Sequence, residues 1–450
     1  MGRPARQMKL GAFINPTGQH LAAWRHPTAQ ADAGVNFKHY VELVRTLEHG
    51  RFDIFFLADV LATIPRTGES MASASRIAHY VGNFEPLTLL SGLAAVTSNI
   101  GLVATVTTSY NEPYHVARKF ASLDHISGGR SGWNLVTSSN ADEAYNFGLE
   151  PYHQHAERYE RAREFAEIVL GLWDSWDDDA FLRDKEGGLF FDPGKMRTLN
   201  HSGKHFSVRG PLNVPRSPQG APVLVQAGSS DDGKNLAADT AEVVFTAHQK
   251  IESAQAFYAD VKSRAAQRNR NPEGMKIMPG VSPIVGRTRQ EAQDKYAQLQ
   301  ELIHSDVSIA LLSRMTSYDF TRFDPDEIVP EIPSVEGLKS RSEMLVRMAR
   351  EEGLTVRQLA MRIAGARGHW QLVGTASDIA DELEAWFQNG AADGFNMMPA
   401  LLPETLGDIV RLLIPELQRR GLFRKEYEGT TLRENLGLRV PANGSRFATS

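Results

Sequence analysis

Not one of the 450 residues is cysteine. That absence excludes disulfides, thiolate nucleophiles, cysteine-ligated zinc and iron–sulfur clusters in a single step. No run approaches the roughly 18 apolar residues that a membrane span needs. The N-terminal MGRPARQMKLGAFINPTG carries basic residues without a sustained apolar core, so no secretory signal is expected and the protein is read as cytoplasmic. An excess of positive charge is missing too, with 49 Lys and Arg against 54 Asp and Glu and a formal charge of −5. Such a surface offers no electrostatic footprint for nucleic acid. Walker, GxGxxG, HExxH and GxSxG patterns are absent, and GSSDDG lacks the glycine spacing of a dinucleotide loop. Phosphoryl transfer, a nicotinamide Rossmann site and elbow-type serine hydrolysis are therefore unsupported.

What is present suits a globular chain with a large core, since 42% of residues are hydrophobic and 23% charged. Eight apolar runs rich in β-branched or aromatic residues stand out, at 9–15, 52–59, 100–108, 132–138, 221–228, 241–247, 276–286 and 394–401. Their continuous apolar character fits parallel strands buried on both faces. Segments such as HYVELVRTLEHG, HVARKFASLDHIS and IADELEAWFQNG lie between them with helical spacing. Strand followed by helix, eight times over, predicts an α/β fold, the (β/α)8 TIM barrel with large insertions after several strands. A minimal barrel takes about 250 residues, so roughly 200 fall outside it. One barrel spanning 1–450 is expected, with insertions at 16–36, 60–83, 176–220 and 305–372. The first, second and fourth of these are placed over the catalytic face as a partial lid. The tail at 421–450 has little apolar periodicity and is expected to wrap a neighbouring surface or subunit.

Barrel chemistry collects just past the C-terminal strand ends. Those positions are 15–20, Asp59, 105–110, 134–139, Ser229 with Ser230, and His248. The third, fourth and fifth strands end in hydroxyl-rich TVTTSY, VTSSN and QAGSSDDG, which suits a neutral, planar, hydrogen-bonding ligand better than a metal. Ser and Thr also end strands and cap helices, and that reading stands beside the first. Ser229 and Ser230 precede a helix start, where backbone N–H groups hold phosphate well. Ser230 is equally an ordinary N-cap, and Asp231 and Asp232 would repel a phosphate unless turned away.

In HQHAERYERAREF, His153, His155 and Glu157 imitate a two-histidine-one-carboxylate iron site. Helical geometry opposes this, because residues two apart point about 200° apart. His155 and Tyr159, at i and i+4, share a face and suit a phosphate or flavin edge. No metal is expected. Phe13, Phe56, Phe395, Met397, Met398 and tryptophans 24, 133, 173 and 176 are read mainly as core.

Longer strings then combine: AWRHP at 23–27, RFDIFFLAD at 51–59, EPYHVARKFASLDHISGGRSGWNLVTS at 112–138 and NFGLEPYHQHAERYERAREF at 146–165. With GPLNVPRSPQGAPVLVQAGSS at 210–230, AADGFNMMPALLP at 391–403 and TLRENLGLR at 431–439, the chain resembles the bacterial-luciferase-like flavin monooxygenases. The group it is most similar to holds the nitrilotriacetate, dibenzothiophene-sulfone and pristinamycin synthase large components. The resemblance implies an enzyme that takes reduced FMN from a separate NAD(P)H:flavin reductase and uses O2, through a flavin C4a-(hydro)peroxide, to oxygenate a small sulfur- or nitrogen-containing molecule. It also implies a homodimer or homotetramer. Matching positions give flavin contacts from Asp59 and Thr105 near the ring and ribityl chain, and from His155, Tyr159 and Ser230 near the phosphate. Ser138 and Ser229 are added as contacts from the fourth and fifth strand ends. His20 and Asn134 are the candidates for a group acting at the peroxide, with a structural role open for each. A deazaflavin-dependent oxidoreductase and a non-catalytic flavin-binding barrel are the alternatives, followed by a metal-dependent hydrolase, for which GAFINPT supplies no ligand. The substrate stays open; Arg25, His26 and Arg66 in the lid segments are candidates for holding a carboxylate, or are simply solvated.

Overall fold

The computed structural model describes residues 6–63, 71–78, 81–138, 140–150, 155–316, 318–331 and 339–447. Among these described residues eleven strands follow in chain order: β1 (Lys9–Phe13), β2 (Ile54–Leu57), β3 (Gly101–Thr107), β4 (Ser131–Val136), β5 (His201–Ser202), β6 (Ser207–Val208), β7 (Val223–Gln226), β8 (Val243–Thr246), β9 (Lys276–Gly286), β10 (Trp370–Thr375) and β11 (Gly394–Met397). β5 and β6 form a small antiparallel ribbon. Eight of the others close in the order β1-β2-β3-β4-β7-β8-β9-β11, every neighbour parallel, with β11 returning to β1. This is the predicted (β/α)8 barrel.

Alternation along each strand separates two cores. Phe13, Ile54, Phe56, Val103, Val223, Val225, Val243, Met278 and Met398 point inward and pack together. Their neighbours Ala12, Phe55, Leu57, Leu102, Ala104 and Leu224 point outward and bury against the surrounding helices. Both faces are covered, which is why the strands read as continuous apolar runs. Among the described residues no helix is long and apolar enough to cross a membrane.

Two regions depart from the sequence reading. The stretch 305–372 is a helical layer, Ser305–Thr316, Lys339–Glu352 and Val356–Ala366, and its end already belongs to a ninth parallel strand. β10 pairs with the outer half of β9, from Trp370 opposite Val281 to Thr375 opposite Gly286. β9 is thus shared, its first residues joining β8 inside the barrel and its last ones β10 above it. The helices have their own core of Leu312, Phe320, Leu345, Val356, Leu359 and Ile363, which Leu21 and Ile77 of the two earlier insertions also enter.

The tail is the second. Leu432, Leu436 and Leu438 insert among the inward strand residues and close the N-terminal end of the barrel. Gly101 and Gly132 make room at the strand starts; a Cβ on Gly101 would collide with Leu432 and stand 2.8 Å from the Asp53 carbonyl. Two buried arginines fasten the plug. Arg433 donates to the Gln219 and Ala221 carbonyls at 3.1 and 2.9 Å and pairs with Glu242, while Arg424 pairs with Asp53 at 2.5 Å. The tail looked aperiodic because few of its residues are apolar and they part company: Leu432, Leu436 and Leu438 enter the barrel while Leu422 and Phe423 pack on the outer core.

Candidate active site

The opposite, C-terminal end of the barrel carries the polar groups. Thr105 on β3 and Asn134 on β4 are register partners, both buried and both facing inward. Asn134 Nδ2 donates to Thr105 Oγ1 at 2.8 Å. The Asn134 carbonyl oxygen is buried and has no hydrogen-bond partner among the described residues. A carbonyl left in that state costs about 1–3 kcal/mol, so the position is set up for a donor from elsewhere.

Asp59 lies half-buried just past β2, its Oδ1 accepting the Val60 N–H at 2.9 Å. Burial pushes its carboxyl up to about 6, with the Glu85 charge adding to the rise and the Val60 bond opposing it. Ser138 is engaged locally: its Oγ lies 2.9 Å from Thr107 Oγ1 and bonds the buried Glu143 carboxylate, and its N–H donates to Ser109 Oγ at 3.1 Å. The loop is thereby fixed, and Ser138 shapes the mouth more than it opens onto it.

A second polar locus forms where the helix His155–Trp173 meets the end of β7. The His155 side chain lies outside the described residues, as do His153 and Arg66. Tyr159, one turn on, is buried, and Gly228 sits against it. A Cβ on Gly228 would stand 3.2 Å from the Tyr159 hydroxyl, 3.0 Å from Gln226 Nε2 and 2.8 Å from the Gly233 Cα. The missing side chain therefore lets the end of β7 approach the helix start closely and gathers Tyr159, Gln226 and Gly233 around one point. Ser230 caps the helix Asp231–Thr240, its Oγ accepting the Gly233 N–H at 3.1 Å. A hydroxyl that accepts in this way still has its own hydrogen to donate, so capping and anion binding are compatible. Ser229 is exposed at the turn beside it. Asp231 and Asp232 are drawn aside by Arg264 at 2.9 Å and Arg163 at 3.7 Å, which removes the objection their charges raised.

His20 lies elsewhere, wholly buried behind the first insertion. Its Nδ1 accepts the Ala22 N–H at 3.2 Å, which leaves the proton on Nε2, facing Gln300 Oε1 at 3.3 Å. Burial lowers the ring to about 4, so it is neutral at physiological pH. His26 is likewise buried, with Nδ1 2.8 Å from Thr28 Oγ1, and Arg25 bonds the Leu302 carbonyl. His248 points to the outer side, between Thr246 and Ser253, and is held at about 4 by burial.

The fold thus brings Thr105 with Asn134, and gathers Tyr159 and Ser230 around Gly228 and Gly233, while His20 is engaged with Ala22 and Gln300. Gln226 and Gly228, with Ser282, His369 and Asn396 on the far wall, are polar or clearance positions that strand-end logic did not single out. Gly228 had a signal, a glycine directly after a strand in QAGSS. His369 had none, because β10 was concealed in an insertion.

The sequence profile described as luciferase-like monooxygenase matches residues 18–393. The chain is 50% identical to the N-acetyl-S-(2-succino)cysteine monooxygenase of Bacillus subtilis (strain 168), over 97% of this chain and 98% of that one. It is 49% identical to nitrilotriacetate monooxygenase component A of Aminobacter aminovorans, with the same coverage. Among solved structures, a riboflavin lyase with modified FMN and its substrate riboflavin superposes with a TM-score of 0.87, at 30% identity and 97% coverage of both chains. An end-to-end match at this identity, on the same barrel, makes the chain an enzyme of the luciferase-like monooxygenase family.

Proposed function

We propose that the protein is the oxygenase component of a two-component system, binding reduced FMN supplied by a separate flavin reductase and using O2 to oxygenate a small nitrogen- or sulfur-containing carboxylate. The observation that carries this is the cluster gathered around Gly228. Tyr159, Gln226 and Ser230 at a helix N-terminus suit a phosphate. The partnerless Asn134 oxygen suits an N–H of the flavin's polar edge, so both ends of the cofactor meet complementary groups. Bound reduced FMN supplies the electrons that activate dioxygen. The name component A of one relative supports a separate partner, and the riboflavin lyase supports FMN on this barrel. The two relatives named above act on compounds with several carboxylates beside an amine or a thioether, which supports the substrate class.

The chain's own residues orient and seal. Thr105 and Asn134 fix the ring edge, and Asp59, poised near 6, holds or releases a proton at the same rim. Phe13, Phe56 and Phe245 form a dry aromatic floor, with ring centroids 5.0 to 6.0 Å apart. Excluding water there keeps reducing equivalents from being lost to peroxide. His20 is a positioning residue, since by facing Gln300 it ties the first insertion to the helix Arg289–Glu301, on which Gln300 is itself held by the Tyr296 hydroxyl. The test is anaerobic titration with reduced FMN, then O2 uptake and product analysis with nitrilotriacetate and N-acetyl-S-(2-succino)cysteine. Reduced-FMN-dependent uptake that yields an oxygenated product establishes the reading. Failure to bind FMN, with turnover of a deazaflavin instead, replaces it.

A further inference from the structure

We infer that the hairpin arm at 175–197 is an interface through which two copies of this chain associate, with Leu182, Leu189 and Phe190 as its apolar contacts. The inference concerns the end of the barrel away from the candidate site and does not rest on the oxygenase reading.

The arm lies between the helix His155–Trp173 and the start of β7, so it leaves and rejoins the barrel at the N-terminal end. Asp174, at its root, accepts the Gly444 and Arg446 N–H groups of the tail at 3.0 and 2.9 Å, which ties the arm to the segment that plugs that end. Backbone hydrogen bonds join the two limbs along their length. Arg197 N–H donates to the Ser175 carbonyl at 2.7 Å, Asp192 to Ala180 at 2.8 Å, Arg183 to Phe190 at 3.0 Å and Asp184 to Leu189 at 2.9 Å. At the base the Trp176 ring packs against Phe181 and Phe191, with centroids 4.7 and 5.3 Å away, and its indole donates to the Leu212 carbonyl at 2.7 Å. An ion pair of Arg197 with Asp177 at 2.6 Å braces the same base. The tip is therefore held out from the body as an ordered projection.

Beyond the base every residue from 182 to 190 is exposed, including Leu182 at 46%, Leu189 at 46% and Phe190 at 62%. Apolar side chains gathered on a projecting tip mark a contact surface. A hairpin edge left to water is ordinarily guarded by charge or proline, and leucine and phenylalanine do the reverse. The charges say which partner fits. Arg183, Asp184, Lys185 and Glu186 alternate in sign, and the string read backward carries the opposite sign at every position. A two-fold axis between Asp184 and Lys185 thus sets Arg183 against Glu186 of the partner subunit, and Asp184 against Lys185 of the partner subunit. Such self-complementarity is what an isologous dimer requires, and a partner of one dominant charge finds no match there. The polar, C-terminal end of the barrel stays open in this assembly.

The test begins with the absence of cysteine. Lys185→Cys gives the chain a single thiol beside the proposed axis, and a bismaleimide should join two copies through it. Ile328→Cys, exposed at 54% on another insertion, should give no such product. Sedimentation equilibrium then compares wild type with Leu189→Ser/Phe190→Ser, whose self-association should weaken at least about tenfold. Arg183→Glu should weaken it as well, and Arg183→Glu/Glu186→Arg should restore it, which a merely structural role for the tip does not predict. Circular dichroism at the wild-type value certifies the fold of each variant. Wild type that sediments as a monomer leaves the tip to a different protein and overturns the inference. A dimer that survives both the double serine substitution and Arg183→Glu places the interface elsewhere and overturns it too.

Discussion

Asn134 spends its amide on Thr105 Oγ1, 2.8 Å away on the adjacent strand, and thereby leaves its carbonyl oxygen buried with no protein partner among the described residues. The arrangement trades stability for binding. Asn134→Leu is expected to melt within about 1 kcal/mol of wild type or above it, because the unmet carbonyl goes with the amide. Affinity for FMN should fall at least about tenfold, near 1.4 kcal/mol. Calorimetric melting together with FMN titration checks both signs; unchanged FMN affinity would remove Asn134 from the site.

Ser230→Ala separates the two roles of that hydroxyl. Losing the cap is expected to cost about 0.5–2 kcal/mol of stability. Losing a phosphate donor should weaken FMN binding while leaving riboflavin, which lacks the phosphate, nearly unaffected. Parallel titrations of the two flavins give the answer. Gly228→Ala should behave in the same direction and more severely, since its new Cβ meets backbone at Gly233.

Asp59 sets a sign for pH. Its folded carboxyl titrates near 6, above the unfolded value of about 3.9. The folded state therefore binds this proton more tightly, and the contribution to stability is complete below about 4 and lost as pH rises through 6. Asp59→Asn should flatten the melting temperature between pH 4 and 7 and exceed wild type at pH 8. Equal slopes for the two proteins would show that Asp59 is not desolvated.

The floor of the barrel gives a stability prediction with no catalytic component. Leu432→Ala should cost about 2–5 kcal/mol through the cavity it leaves. Arg433→Met should cost about 3–5 kcal/mol by stranding Glu242. Denaturant unfolding measures both, and FMN affinity of the folded protein should not move.

Those predictions draw on parts of the molecule that were unequally legible. The eight barrel strands announced themselves because each is buried on two faces, as Phe55 and Phe56 show by pointing to opposite cores from adjacent positions. Thr105, Asn134 and Ser230 followed from strand-end logic and, for the phosphate end, from family resemblance. β10 did not, since WQLVGT is a single short run that follows a helical stretch by three residues inside what reads as an insertion. His369 was lost with it. The clearance that Gly280 gives the His369 ring is invisible in principle without coordinates, because a side chain 89 positions later leaves no local trace. His20 shows the converse: sequence places it just past β1, and only packing shows that its ring is buried and faces Gln300.

β9 extends beyond the barrel and is met there by β10 in parallel register, Trp370 beside Val281. The chain therefore leaves the barrel and comes back to it at adjoining backbone positions, with the entire helical layer in between. Such a segment is an exchangeable cassette: it can be replaced, lengthened or recombined while its two attachment points stay zipped together and the cofactor side of the barrel is undisturbed. Diversification of substrate range by swapping the stretch between Gly286 and Trp370 among relatives, with β9 and β10 retained, is the route that this geometry opens to evolution and to engineering alike.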